Sequence, residues 1–342
     1  MTKAHPIKSL ICFRKFRIMK KPNIKLIQNY KSLLNGIRPV VVDIGARGGG
    51  KGNWIYELNS VVDYVFFEPD KDESENLMKK YGSNTTVIPS AVWNKSGTIE
   101  LNITKNRSYC SILEPNEEVI KGSFYYDRGF YEIENTLEVK CDALEPLLNQ
   151  YNCSLPDFIK IDIQGGEKIV FESLKKSTWN NLIGIDTESY SSHLYKECAN
   201  ISDLLQILYI NDFELYNIDP IANFAYTSHS LNKIYDSKNL NRRPNSSQYY
   251  GKNMVFDLLL IKTFESILTN GSEKFFRKSL FILVLYKYYD HAMYLLYEAI
   301  EKDIINDKIF KNLKHLIKEN IDLNSNFLKK ARERYKVRNY KL

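Results

Sequence analysis

The residues able to do chemistry in this chain gather at the ends of short apolar runs. One run lies in Val40–Gly52 (VVVDIGARGGGKG) and ends on Asp43, directly before a glycine-rich turn. Glycines let a backbone approach a ligand closely, and a helix over Asn53–Leu58 would present free N–H groups beside it. A second run ends on Glu68, within Phe66–Asp70 (FFEPD). Two more end on Asp162 and Glu188. Carboxylates so placed accept hydrogen bonds from hydroxyls, remove a proton from one, or hold a divalent cation such as Mg²⁺. His193 follows Glu188 in a Ser/Tyr-rich loop and supplies a second base that works near pH 7. Lys160 stands two residues before Asp162, on the same face of a strand, and is expected to pair with it. Glu167 opens a helix, where the helix dipole accounts for its charge.

Two ligands compete for the glycine-rich turn. Gly45–Lys51 satisfies the phosphate-loop pattern G-x-x-x-x-G-K, but Gly52 stands where a Ser or Thr hydroxyl should reach Mg²⁺. The dinucleotide pattern G-x-G-x-x-G fails as well, because Asn53 replaces its third glycine after Gly48 and Gly50. S-adenosylmethionine has no pyrophosphate and carries an ammonium, a carboxylate and a ribose diol. Asp43 suits its amino-acid end. Glu68, 18 residues beyond Gly50, suits the two ribose hydroxyls.

Those acids need a scaffold that brings strand ends together. Pro39–Ile44, Asp63–Glu68, Asp157–Ile163 and Leu182–Glu188 read as buried parallel strands, each followed by turn residues and a helical segment. Val87–Val92 and Thr98–Ile103 add strands, and Asp212–Ile218 and Met254–Lys262 close the far edge. The pattern is α/β: a Rossmann-like, doubly wound, mostly parallel sheet. Asp142–Glu145 fits a capping box. Thr104–Asn135, rich in Gly, Pro, Asn and aromatics, reads as a long loop near the substrate.

Charge divides the chain. Ten of the 48 basic residues and none of the 41 acidic ones lie in Met1–Val42, so the remainder is slightly acidic. An acidic body argues against nucleic acid as substrate. Residues 1–37 therefore read as a basic arm able to touch an anionic membrane peripherally, 38–268 as the catalytic domain, and 269–342 as a helical appendage. Charges within Phe281–Ala299 exclude a membrane span there. The five cysteines form no C-x-x-C pair, and the N-terminus does not read as a signal peptide. A cytoplasmic protein is expected, at most at the inner face of the membrane.

From Arg38 to Phe264 the chain resembles the FkbM-type methyltransferases. The matching pieces are VVDIGARGGG (Val41–Gly50), FFEPD, AVWNKSGTIEL (Ala91–Leu101), SILEPN (Ser111–Asn116), DFIKIDIQGGE (Asp157–Glu167), Leu194-Tyr195 and MVFDLLLIK (Met254–Lys262), in that order. The resemblance implies an S-adenosylmethionine-dependent O-methyltransferase acting on a sugar or secondary-metabolite hydroxyl, on a sheet of about seven strands with the last antiparallel. Cofactor contacts are expected from Asp43, Gly45, Arg47, Gly48, Gly50, Glu68, Pro69, Ala91 and Asp162. Catalysis is expected from Asp162, Glu188 and His193, with Asp162 and Glu188 as the metal candidates. Members often carry Glu where this chain has Gln164, so Gln164 is given no acid–base role. A phosphate-loop nucleotide-binding protein and a non-catalytic binding subunit of the same fold are the alternatives.

Overall fold

The computed structural model describes residues 24–50, 53, 54, 56–82, 85–224 and 252–335. Helix α1 (Ile24–Leu34) precedes β1 (Val40–Ile44), β2 (Asp63–Phe67), α2 (Lys71–Tyr81), β3 (Thr85–Ile88), β4 (Ala91–Val92) and β5 (Gly97–Thr104). Two single turns, α3 (Glu117–Ile120) and α4 (Phe124–Asp127), lead to β6 (Ile133–Asp142) and α5 (Leu144–Gln150). Then come β7 (Phe158–Ile161), α6 (Glu167–Ser173), α7 (Lys176–Asn181), β8 (Gly184–Tyr190), α8 (Ile201–Ile210), β9 (Phe213–Phe224) and β10 (Lys252–Lys262). Helices α9 (Phe264–Thr269), α10 (Glu273–Leu285), α11 (Tyr289–Glu301) and α12 (Asp307–Tyr335) complete the described chain.

The main sheet has seven strands in the order β3-β2-β1-β7-β8-β10-β9. The pairs β3/β2, β2/β1, β1/β7 and β7/β8 are parallel, and β10 runs antiparallel to both β8 and β9. Strand order reverses between β1 and β7. Ligands in such sheets sit outside the carboxyl ends of the strands at that point, and Asp43, Asp162 and Glu188 all lie there.

Both faces of the sheet are apolar, as the unbroken apolar runs require. Val42, Ile44, Val65, Phe67, Ile159, Ile161, Ile185 and Leu260 pack under α5, α6, α7 and α8. Val41, Tyr64, Phe66, Phe158, Ile183, Leu259 and Ile261 share one core with α1, α10, α11 and α12. The C-terminal helices thus pack directly on the sheet. Helix α10 is buried without interruption from Phe275 to Leu285, and its Lys278 Nζ reaches the fully buried Asp157 carboxylate at 2.6 and 2.8 Å. Asp157 Oδ2 also accepts from the Val40 N–H at 2.8 Å, so one carboxylate ties this helix to the starts of β1 and β7. Residues 24–34 of the expected arm form α1, which buries Leu33 and Leu34 in the same core. Residues 1–23 lie outside the described part.

Four local expectations are corrected. The α-helix expected over Asn53–Leu58 is replaced, among the described residues, by a turn at Asn53 and a short 3₁₀ helix over Tyr56–Ser60. Val87–Val92 divides into β3 and β4, which belong to different sheets. The segment after Thr104 ends in β6, which forms a three-stranded sheet with β4 and β5. Its outward face is exposed and polar, so no apolar run marks it in the sequence. The Asp142 capping box is absent: Ala143 is the N-cap and makes no side-chain cap bond, while the Asp142 carboxylate accepts from the adjacent Ala143 N–H. Glu145 instead turns inward to the Thr178 hydroxyl at 2.5 Å and the Lys175 N–H at 2.8 Å.

Candidate active site

Register places a row of charges across the sheet. Asp43 lies beside Lys160, and Lys160 beside Asp186. Lys160 Nζ donates to Asp43 Oδ1 at 3.1 Å, and both side chains are buried. The expected partner Asp162 is therefore second to Asp43, because Asp43 is the direct neighbour in register. Burial pulls the Lys160 ammonium down, but Asp43, Asp162 and Asp186 outweigh it and hold the group above its ordinary value. Asp186 is pushed up to about 6 by burial against the pull of Lys160. One residue pair further along lie Asp162, at the end of β7, and Glu188 beside Asp257. Burial, with Asp186 and Asp162 nearby, pushes Asp257 up to about 7.

The glycine turn is built differently from an anion nest. Its Gly45 and Ala46 N–H groups donate to the Phe67 carbonyl, and Gly49 N–H donates to the Ala46 carbonyl. Gly48 N–H donates to Glu73 Oε1 at 2.8 Å and Gly50 N–H to the Tyr81 hydroxyl at 2.7 Å. Helix α2 thus grips the turn, and Lys80 Nζ closes the cage on the Gly48 carbonyl at 2.7 Å. A phosphate loop needs those N–H groups for its ligand; here they serve the chain itself. Arg47 pairs with Asp70 at 2.7 Å, and Asp70 also caps α2 through the Asp72 and Glu73 N–H groups. Gly45 has φ +82°, and a Cβ at this position would fall 2.1 Å from the Asp162 carbonyl oxygen, so only glycine lets β1 and β7 end this close together.

Glu68 ends β2 with 4% of its surface exposed. Burial pushes its carboxyl up to about 7, against the Asp70 N–H bond and the Arg47 charge. Pro69 joins it to Asp70, and Ala91 is buried at the start of β4.

Asp162 and Glu188 meet around Gln164, which has φ +59° in the turn between β7 and α6. Gln164 Nε2 donates to Asp162 Oδ1 at 2.9 Å and to Glu188 Oε2 at 2.7 Å. Its Oε1 accepts from the Tyr195 hydroxyl at 2.8 Å. Glu188 Oε2 accepts from the Tyr190 hydroxyl as well. Burial and the Asp162 charge hold the Glu188 carboxyl well above the usual range, despite that bond. Tyr109, Tyr125 and Tyr131 pack with Tyr190 and Tyr195 into an aromatic cluster beside it. Glu167 accepts from the Ile163 and Gly165 N–H groups, so it braces this turn rather than facing a substrate. Burial pushes it up to about 7.

His193 is exposed, and its Nδ1 donates to the Cys198 carbonyl at 2.5 Å, which holds the ring to its own loop. Asp162 and Glu188 do not fit Mg²⁺. An amide nitrogen stands between them, and among the described residues no three His, Cys, Asp or Glu side chains gather to hold a metal. The sequence assigns no role to Gln164, Tyr190 or Tyr195, because their roles depend on contacts made across the fold. Asp257 was visible as an acid interrupting the apolar run Met254–Lys262. An open cleft of about 550 Å³ lies at the other end of the sheet, lined by Arg38, Asn59, Asp63 and Thr85, away from all these carboxylates.

The pattern of the methyltransferase FkbM domain matches residues 43–215. No curated protein matches the chain. Among solved structures, the precorrin-6y C5,15-methyltransferase from Geobacter metallireducens GS-15 is 10% identical over 69% of this chain and 88% of its own, with a TM-score of 0.30. The plantazolicin methyltransferase BpumL, in complex with a triazolic desmethylPZN analog and SAH, is 12% identical over 73% and 88%, with a TM-score of 0.31. StiE O-MT is 9% identical over 69% and 74%, at 0.33. Likenesses this distant carry nothing about the reaction. Among the described residues no helix is long and apolar enough to cross a membrane.

Proposed function

From a chain that belongs to the FkbM methyltransferase family, and so is an S-adenosylmethionine-dependent methyltransferase, we propose an enzyme that methylates a hydroxyl, on a sugar of a surface glycan or on a secondary metabolite. The carrying observation is the position of Asp162: half-buried, at the carboxyl end of a central strand, with one oxygen held by Gln164.

The residues present fit the cofactor. Glu68 offers a carboxylate to the ribose diol, and Asp43, with Lys160 as its counter-charge, offers one to the ammonium. Gly45, Arg47, Gly48 and Gly50 form the turn after Asp43, and Pro69 and Ala91 are the further cofactor contacts of this reading. When bound, S-adenosylmethionine supplies a methyl group on a sulfonium, which an oxygen displaces in line. The chain's task is to align that oxygen and take its proton. Asp162 is the base in this reading, because it is more accessible than Glu188. Glu188 orients the acceptor, and His193 is held in reserve at the loop. No step requires Mg²⁺. The basic arm, with its apolar residues, supports a cytoplasmic enzyme touching the inner face of the membrane near a lipid-linked acceptor.

A methyl-transfer screen across sugar nucleotides and lipid-linked glycans tests the acceptor class; transfer only to nitrogen acceptors would overturn it. With an acceptor in hand, Asp162→Asn should lower kcat about 10²-fold or more. Near-normal turnover in Asp162→Asn, together with loss in His193→Ala, would move the base to the loop histidine.

A further inference from the structure

Two carboxylates that face each other in a buried site are held by a shared proton, by a cation, by donated hydrogen bonds, or by a combination of these. Asp162 and Glu188 receive donors. The two hydrogens on Gln164 Nε2 go one to each carboxylate, at 2.9 and 2.7 Å. The rest of Gln164 is fastened so that the nitrogen stays between them. Its Oε1 takes the hydroxyl of the fully buried Tyr195, and its backbone carbonyl takes the Ser111 hydroxyl at 2.7 Å. Its φ of +59° lies in the left-handed region that side chains avoid. Strain of that kind persists where surrounding bonds over-determine it, and here four polar groups do.

We infer that Gln164 is a positioning residue that stands in place of a divalent cation, setting the spacing of Asp162 and Glu188 with an uncharged amide. The two carboxylates then keep their places whether or not metal is present. A carboxylate at this position would reverse the arrangement, because it lacks the N–H donors and adds a third anionic oxygen ligand. This inference concerns the carboxylate pair alone and does not depend on which acceptor is methylated.

Mn²⁺, read by electron paramagnetic resonance on the full chain, tests it without any acceptor. Wild type should show no Mn²⁺ site in the micromolar range, and its binding of S-adenosylhomocysteine should be the same with and without EDTA. Gln164→Glu should gain a site that binds Mn²⁺ at least about tenfold more tightly than wild type, since added carboxylate oxygens raise affinity for hard cations. Asp162→Asn in the Gln164→Glu background should abolish the gain. A wild-type Mn²⁺ site that disappears in Asp162→Asn would overturn the inference, and this comparison stands even if Gln164→Glu fails to fold. A folded Gln164→Glu with no gain in Mn²⁺ binding would overturn it as well.

Discussion

The ionisation of Glu68 gives the sharpest test of the cofactor reading. Its carboxyl is pushed up to about 7 because burial outweighs the Asp70 N–H bond and the Arg47 charge. Only the carboxylate accepts hydrogen bonds from both ribose hydroxyls through lone pairs alone. With a midpoint near 7, about nine-tenths of the group is ionised at pH 8 and about one-tenth at pH 6. Affinity for S-adenosylhomocysteine should therefore fall about tenfold between pH 8 and pH 6, or about 1.4 kcal/mol. Titration calorimetry at half-unit steps measures this, with Glu68→Gln run in parallel. The variant removes this titration and keeps that of the ligand, so the difference between the two curves belongs to Glu68. At pH 8 the variant should also bind about 1–3 kcal/mol more weakly, for loss of charged hydrogen bonds. Parallel curves for the two proteins, or tight ATP binding without a response to S-adenosylhomocysteine, would refute the reasoning. The same shift bears on folding. The folded-state pKa lies above the ordinary value of 4.5, so the contribution to stability is complete below about 4.5 and is lost as pH rises through about 7. Glu68→Gln should accordingly melt higher than wild type at pH 8.

Three further outcomes can be measured. Lys278→Met leaves the buried Asp157 without its cation and should cost about 3–5 kcal/mol in denaturant unfolding; a cost under about 1 kcal/mol would show that α10 is not held to the sheet through this pair. Gly45→Ala drives a methyl group into the Asp162 carbonyl at a position with φ +82°, so it should destabilise by more than the usual ~1 kcal/mol of a substitution and weaken cofactor binding; normal melting and binding would contradict the close approach. Deleting residues 1–23 should abolish salt-sensitive flotation with anionic liposomes; unchanged flotation would clear the arm of a membrane role.

The strands, and the acids that stand at their ends, are legible in the chain before it folds. The apolar runs that end in Asp43, Glu68, Asp162 and Glu188 can be read there because a strand buried on both faces must be apolar throughout, so an acid at its end stands out. The glycine turn and the order of the motifs marked the family for the same local reason. Which of these groups meet was settled only by the folded chain. Lys160 pairs with Asp43, 117 residues away, because β1 and β7 are neighbours in register, and no spacing along the chain records that adjacency. Gln164 looked like a neutral replacement for an acid until the turn's left-handed backbone set its amide between two carboxylates. The C-terminal helices read as an appendage because their periodicity shows an apolar surface without showing what covers it. Only the assembled fold reveals that they cover one face of the sheet, in one core with α1 and with Trp54 and Leu58 from between β1 and β2.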